Sequence, residues 1–224
     1  MPTYEVFPLK VRSKQIINYS YIVHDRYSGH AAIVDPAWEL DTVLSKLKEI
    51  GGELTIILLT HSHYDHVNLV GSLIRKFDAR VVISWNEFKF YGFPCTNLSQ
   101  VNHIDEVHVG RTAISCLLTP GHTAGGMCYL LSDSLFTGDT IFIEGCGICT
   151  AEGGCPGEMF ESIMMLKRTV APQVRVFPGH SYGKAPGCEF GLLTKENIYF
   201  QIDTKDIFID FRMRKGQKNL SAFK

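Results

Sequence analysis

The sequence predicts an α/β protein, on three observations. Short β-rich segments alternate with segments whose apolar residues recur at helical spacing. At least one strand segment is a continuous apolar run, the mark of a sheet covered on both faces. Apolar residues make up 45% of the 224 and charged residues 20%, which suits a globular chain long enough to bury a real core. The expected organisation is one domain over residues 1–224, with a short basic segment at 211–224.

The opening segments "TYEVFPLKV", "NYSYIVHD" and "HAAIVD" read as strands separated by polar or glycine turns. Leu40, Val43, Leu44, Leu47 and Ile50 then fall at helical spacing, and Gly51-Gly52 stops that helix. "LTIILLT" is the doubly buried strand. "VNLVGSLIRKF" reads as the next helix and "ARVVIS" as the strand after it. The second half repeats the mixture, with strands at "TAISCLLT", "MCYLLS", "SLFTG" and "VRVFP" and a helix near "PGEMFESIMMLKRTV". Between Gly145 and Gly157 the chain is too glycine-rich for a regular element.

A formal net charge of −1 gives no global field for nucleic acid or an anionic membrane, and no basic cleft or nucleic-acid motif is visible. No apolar run approaches the ~20 residues that span a bilayer. Seven cysteines and no secretory signal predict reduced thiols and a cytoplasmic protein. The segment from Phe211 carries Arg212, Arg214, Lys215, Lys218 and Lys224 with no acid, and reads first as a solvated tail.

The informative feature is what ends each apolar strand. "IILLT" runs into His61, "ISCLLTPG" into His122, "SLFTG" into Asp139 and "VRVFPG" into His180. Loops at one edge of a sheet are where a rigid scaffold gathers distant residues. "HSHYDH" adds His63, Asp65 and His66. On leaving a strand, His61 and His63 can point the same way. Imidazole and carboxylate suit zinc, and also iron or manganese, and a tetrahedral ion takes about four ligands including water. The seven candidates therefore suffice for two ions. The natural partition gives His61, His63 and His122 to one, Asp65, His66 and His180 to the other, and Asp139 to both as a bridge.

"HSHYDH", "PGHT", "TGD" and "PGH", in this order, resemble the metallo-β-lactamase superfamily. That resemblance implies an αββα four-layer sandwich. Within it, "TPGHTAGGMCYLL", "LFTGDTIFIEGCG" and "FPGHSY" are similar to the glyoxalase II group of thioester hydrolases. "EGCGICTAEGGCPGEMFESI", with the N-terminal "VRSKQIINYSYIV", looks like the stand-alone zinc-dependent hydrolases of trans-acyltransferase polyketide biosynthesis. The resemblance implies two zinc ions and attack by a metal-bound hydroxide on an acyl thioester, with Asp65 both ligating and orienting the nucleophile. It implies Tyr182 and the position of Ile148 as substrate contacts.

Two departures bear on the thiol half. Ile148 stands where glyoxalase II typically has a basic residue for glutathione. Residues 181–224 are fewer than the helical region that completes the glutathione site there. A phosphopantetheine arm on an acidic acyl carrier protein is then the expected thiol, with the basic segment as a docking element. The alternatives are hydroxyacylglutathione hydrolase, a mononuclear-iron persulfide dioxygenase sharing these residues, and a non-catalytic metal-holding module. Cys146, Cys149 and Cys155, lacking a thioredoxin or ribbon context, read as part of a shaped loop lining the pocket.

Overall fold

The computed structural model describes every residue except Met1, Gln15, Asn219 and Ser221. Twelve strands form two six-stranded sheets. The first holds β1 (Tyr4–Ser13), β2 (Ile16–Asp25), β3 (His30–Val34), β4 (Glu53–Leu58), β5 (Arg80–Ser84) and β6 (Leu98–Val101), side by side in chain order. The second holds β7 (Glu106–Val109), β8 (Thr112–Leu118), β9 (Met127–Leu130), β10 (Ser134–Gly138), β11 (Arg175–Pro178) and β12 (Cys188–Glu189), also in order. The helices are α1 (Leu40–Glu49), α2 (Tyr64–Val67), α3 (Val70–Phe77), α4 (Trp85–Tyr91), α5 (Pro156–Thr169), α6 (Phe190–Glu196) and α7 (Lys205–Arg212).

Strand alternation sorts the apolar residues into three cores, and these define four layers. Tyr21, Val23, Val34, Leu58 and Val82 of the first sheet meet Ile114, Tyr129, Phe136 and Phe177 of the second between the sheets. Their neighbours Ile22, Ile33, Ile57 and Val81 point the other way and pack under Val43 and Leu47 of α1 and Leu73 of α3. Behind the second sheet, Cys128, Leu135 and Val176 pack under Met159, Ile163 and Leu166 of α5 and Phe208 of α7. The arrangement is the αββα sandwich. Two buried tyrosines tie the sheets together by hydrogen bonds: Tyr21 Oη donates to Pro178 O at 2.6 Å and Tyr129 Oη to Leu59 O at 2.8 Å.

Local signals set the helix ends. Helix α1 has Asp41 in its first turn and Lys46 and Lys48 in its last, as the helix dipole favours, and Gly51 follows with φ +63°. Pro156 opens α5 at a position where a missing N–H costs nothing. The helix expected over "VNLVGSLIRKF" is two pieces, because the chain leaves the helix at Asn68 and Leu69; Asp65 and His66 thus sit within α2 rather than before a helix.

Topology explains why the ligand-type residues converge. Strands β3, β4, β5 and β6 are mutually parallel. In the second sheet β8 and β10 are each antiparallel to β9, and β11 is parallel to β10, so all three run in one direction. Asp35, His61, His122, Asp139 and His180 each follow one of these strands and emerge at a common edge.

The basic segment departs from expectation. Arg212 is 3% exposed, not solvated. It lies one helical turn beyond fully buried Phe208, so it shares that core-facing side of α7. Its Nη1 donates to Tyr199 Oη at 2.7 Å and to Gln217 Oε1 at 3.1 Å. Arg214, which lies over the Phe211 ring, is exposed, as are Lys215, Lys218 and Lys224. Asn219 and Ser221 of this segment, and Gln15 of the N-terminal motif, lie outside the described residues. Among the described residues no helix is long and apolar enough to cross a membrane.

Candidate metal centre

Four of the five clustered histidines have one ring nitrogen fixed from behind. His180 Nδ1–H donates to Ile17 O at 2.7 Å, and His122 Nδ1–H donates to Ile148 O at 2.7 Å. His66 Nδ1–H donates to Asp35 Oδ2 at 3.0 Å. Thr60 Oγ1 gives its proton to Asp35 Oδ2 at 2.5 Å and sits 3.0 Å from His61 Nδ1. Each contact holds a tautomer whose Nε2 lone pair faces inward. His63 enters the other way round, its Nδ1 lying 3.0 Å from His122 Nε2.

The donors gather as three overlapping groups, with atoms of each group within 4.8 Å of one another: His61, His63, His122; Asp65, His66, His180; and Asp35, His61, His66. Asp139 lies between the first two. Its Oδ1 is 3.5 Å from His66 Nε2, and its Oδ2 is 3.6 Å from both His122 Nε2 and His180 Nε2. All seven residues expected from the sequence are therefore brought together. Asp35 belongs behind them, since its Oδ1 accepts Thr60 N–H at 2.8 Å and its Oδ2 the bonds above.

The set fits metal ions. His61 Nε2, His66 Nε2 and Asp139 Oδ1 are buried with no hydrogen-bond partner among the described residues. Leaving such an atom unpaired costs about 1–3 kcal/mol, more for charged groups, and a coordinated cation removes that cost. Imidazole and carboxylate donors without thiolate suit zinc, and equally iron or manganese.

The electrostatics agree. Burial, reinforced by the neighbouring histidines, lowers the pKa of His61, and burial lowers that of His122, so both rings stay neutral. Burial opposes charge on Asp65, but the close His180 and His66 rings and the amide of Asn18 outweigh it and hold the carboxyl below its usual range. His66 is also opposed by burial, yet Asp139, Asp35 and Asp65 raise it to about 10. A site that draws a proton onto a buried ring with three carboxylates is one in which a metal ion competes for the same Nε2.

Backbone detail protects the geometry. Gly138, in "TGD", has φ +47°, and a Cβ there would lie 2.2 Å from Thr60 Oγ1. At Gly179, in "PGH", a Cβ would lie 2.6 Å from His66 Cε1. Asp35 and Trp38 adopt positive φ (47° and 60°) although neither is glycine, a local strain held at the site. Buried Glu87 braces two ligand loops: Oε1 accepts from Ser62 N–H at 2.8 Å, and Oε2 from Gly125 N–H at 3.0 Å.

A cavity of about 340 Å³ opens over these groups. His63, Asp65, His122, Asp139 and His180 face it, with Ile148 and Tyr182 in its wall beside Trp38, Phe142 and Phe223. The cysteines of the glycine-rich loop do not line it. Cys146 and Cys149 turn into the core under α5, while Gly147 and Ile148 between them face the cavity. Burial pushes the Cys149 thiol up to about 11, and all seven cysteines are unpaired. Asp35 escaped the sequence reading although "HAAIVD" follows the same strand-then-ligand rule. Glu87, Asn18 and Phe223 carried no comparable signal.

Residues 14–180 match the Metallo-beta-lactamase superfamily, and the chain belongs to it. It is 52% identical, over 99% of both chains, to the probable polyketide biosynthesis zinc-dependent hydrolase PksB of Bacillus subtilis. It is 50% identical, over the same shares, to the probable polyketide biosynthesis zinc-dependent hydrolase BaeB of Bacillus velezensis. Among solved structures it is similar to ETHE1 from Myxococcus xanthus, with TM-score 0.84 and 29% identity over 95% of this chain and 92% of that one.

Proposed function

We propose that this protein is a zinc-dependent hydrolase of acyl thioesters, acting in polyketide biosynthesis on acyl groups borne by a carrier protein's phosphopantetheine arm. One observation carries the proposal: two groups of imidazole and carboxylate donors flank a shared Asp139 beneath an open cavity, with buried donor atoms left unpaired. The names of the 50–52% identical relatives supply the pathway and the metal. In this reading His61, His63 and His122 hold one zinc, Asp65, His66 and His180 the second, and Asp139 both. The whole chain serves as one catalytic domain in the cytoplasm.

Bound zinc would supply Lewis acidity, which lowers the pKa of water to about 7 and polarises a carbonyl. The protein's part is positional. Asp65 faces the cavity as an ionised carboxylate, its Oδ2 3.2 Å from Asn18 Nδ2 and 3.3 Å from His180 Nε2, placed to accept a proton bond from the attacking water. Trp38, fixed by donation from Nε1 to Asn18 Oδ1 at 2.6 Å, closes one side against bulk solvent. Among the described lining residues, the only acids beyond the metal candidates are the tyrosines Tyr64 and Tyr182, weak donors for a poor leaving group. The Tyr182 hydroxyl donates to Leu220 O, and burial together with Asp139 pushes its pKa up to about 12. A thiolate needs no such acid, because its parent thiol has a pKa of about 8.5.

Among the described lining residues there is no lysine or arginine for the carboxylates of glutathione, which supports pantetheine as the thiol half. Exposed Lys215, Lys218 and Lys224 would meet an acidic carrier. The test is metal analysis together with turnover of acyl thioesters of glutathione, coenzyme A, pantetheine and a carrier protein. Two zinc ions per chain and highest kcat/KM on the carrier thioester are expected. Clear preference for S-lactoylglutathione would make the protein a hydroxyacylglutathione hydrolase. A single iron with oxygen uptake would make it a persulfide dioxygenase.

A further inference from the structure

Leu220 and Phe223 line the cavity together with Trp38. The Phe223 ring lies parallel to His180, with centroids 3.8 Å apart and planes at 12°. It also packs against Tyr182 at 5.3 Å and Phe142 at 6.4 Å. Hydrogen bonds hold Leu220 and Lys224, on either side of Phe223: Tyr182 Oη donates to Leu220 O at 2.7 Å, and Lys224 N–H to Ser181 O at 2.8 Å. Trp38 and Tyr64, also in the cavity wall, meet edge to face at 5.8 Å.

Trp38 has its one polar atom satisfied by Asn18, so its ring offers the cavity only apolar surface. Beyond the metal candidates, the ionisable residues of the described lining are Tyr64 and Tyr182 alone. Away from the metal candidates a charged group on the substrate would leave water without a charged partner among the described lining residues, whereas an alkyl chain would release water from apolar walls.

We propose that Leu220 and Phe223, which line one cavity with Trp38, form an acyl-chain subsite that selects uncharged apolar acyl groups over short or charged ones. The proposal rests on the thioester reading for the reacting group and adds the class of acyl chain. Each methylene covered by such a wall is worth a factor of about three to four in binding. Two additional methylenes should therefore improve kcat/KM by about tenfold, expressed mainly in KM.

The experiment compares N-acetylcysteamine thioesters of acetyl, butanoyl, hexanoyl and succinyl groups on wild type, Phe223→Ala and Phe223→Leu, with metal content measured on each. Butanoyl should exceed acetyl about tenfold, and succinyl, the same length with a terminal carboxylate, should fall well below butanoyl. Phe223→Ala should lower the hexanoyl-to-acetyl ratio about tenfold through KM, and Phe223→Leu should restore most of it. A second measurement is independent of turnover. In a Trp85→Phe background Trp38 is the remaining tryptophan, and its fluorescence reports binding of S-hexyl- and S-ethyl-N-acetylcysteamine thioethers, which cannot be hydrolysed. The S-hexyl compound should bind more tightly, and Phe223→Ala should erase the difference. Thioester hydrolysis with no chain preference, unchanged in both variants, would overturn the subsite and leave the thioester reading standing. Selective S-hexyl binding without turnover of any thioester would support the subsite and overturn the thioester reading.

Discussion

The two ends of the sandwich handle buried carboxylates in opposite ways. At the end away from the metal candidates, Asp25 closes β2 and is fully buried. Its Oδ1 accepts from Tyr27 N–H, Ser28 N–H and Ser28 Oγ, and its Oδ2 from Arg111 N–H and Thr112 Oγ1. Every donor is supplied by the fold. At the other end Asp139 is also buried, yet its Oδ1 has no donor among the described residues. The difference teaches that burial of charge alone does not mark a functional site. The mark is burial with the compensating partner left out.

The sharpest way to break that contrast is to remove Asp139. Asp139→Ala should lose at least one metal ion by elemental analysis and lower kcat/KM by more than about a hundredfold, beyond what outer partners cost. Full metal content with normal turnover would show that the orphaned oxygen has no ligand role.

Asp35→Asn should act on the same end more mildly. It leaves the seven donors in place but weakens the hold on His66 and Thr60, so zinc affinity should fall about 10- to 100-fold in a competitive chelator titration. An unchanged affinity would mean that the carboxylate merely supports the strand end.

Asp25 should show the reverse profile, changing stability and leaving metal content alone. Asp25→Ala strands buried donors and should cost about 2–4 kcal/mol in urea unfolding. The acid limb sharpens this. Hydrogen bonds from Ser28 and Thr112 overcome burial and lower its pKa from 3.8 to about 2, so as pH falls the unfolded chain takes up this proton first. Its contribution is present above pH 3.8 and is lost as pH falls through about 2, amounting to about 2 kcal/mol. A wild type and Asp25→Asn pair losing stability in parallel between pH 4 and 2 would contradict the assignment.

The smallest expected effect concerns the exposed lysines of the basic segment. Neutralising Lys215, Lys218 and Lys224 together should slow turnover of a carrier-bound thioester several-fold at low ionic strength, an effect screened within about 10 Å at 0.1 M salt. Turnover of a pantetheine thioester should barely change. Arg212 is excluded from this set because it is buried against Tyr199. Equal losses on both substrates would place these lysines in the fold rather than in docking.

The sequence by itself determined the strands that carry the ligand-type residues and the order in which those residues appear. Both are local properties: an apolar run ends, and the next residue able to bind metal stands in the loop after it. The α/β class followed from the alternation of elements, and the αββα sandwich was what the motif resemblance implied. Only the tertiary structure decided which residues stand behind the donors and which cover them. Asp35 orients His66 across 31 positions and Ile17 fixes His180 across 163, and no periodicity links such pairs. The basic segment shows the same limit from the other side. Its charges made it read as solvated, yet Arg212 is drawn into the core and Phe223 onto His180. The physical reason is that burial of a side chain depends on the surface the rest of the chain presents to it, and that surface exists only once the two sheets have packed.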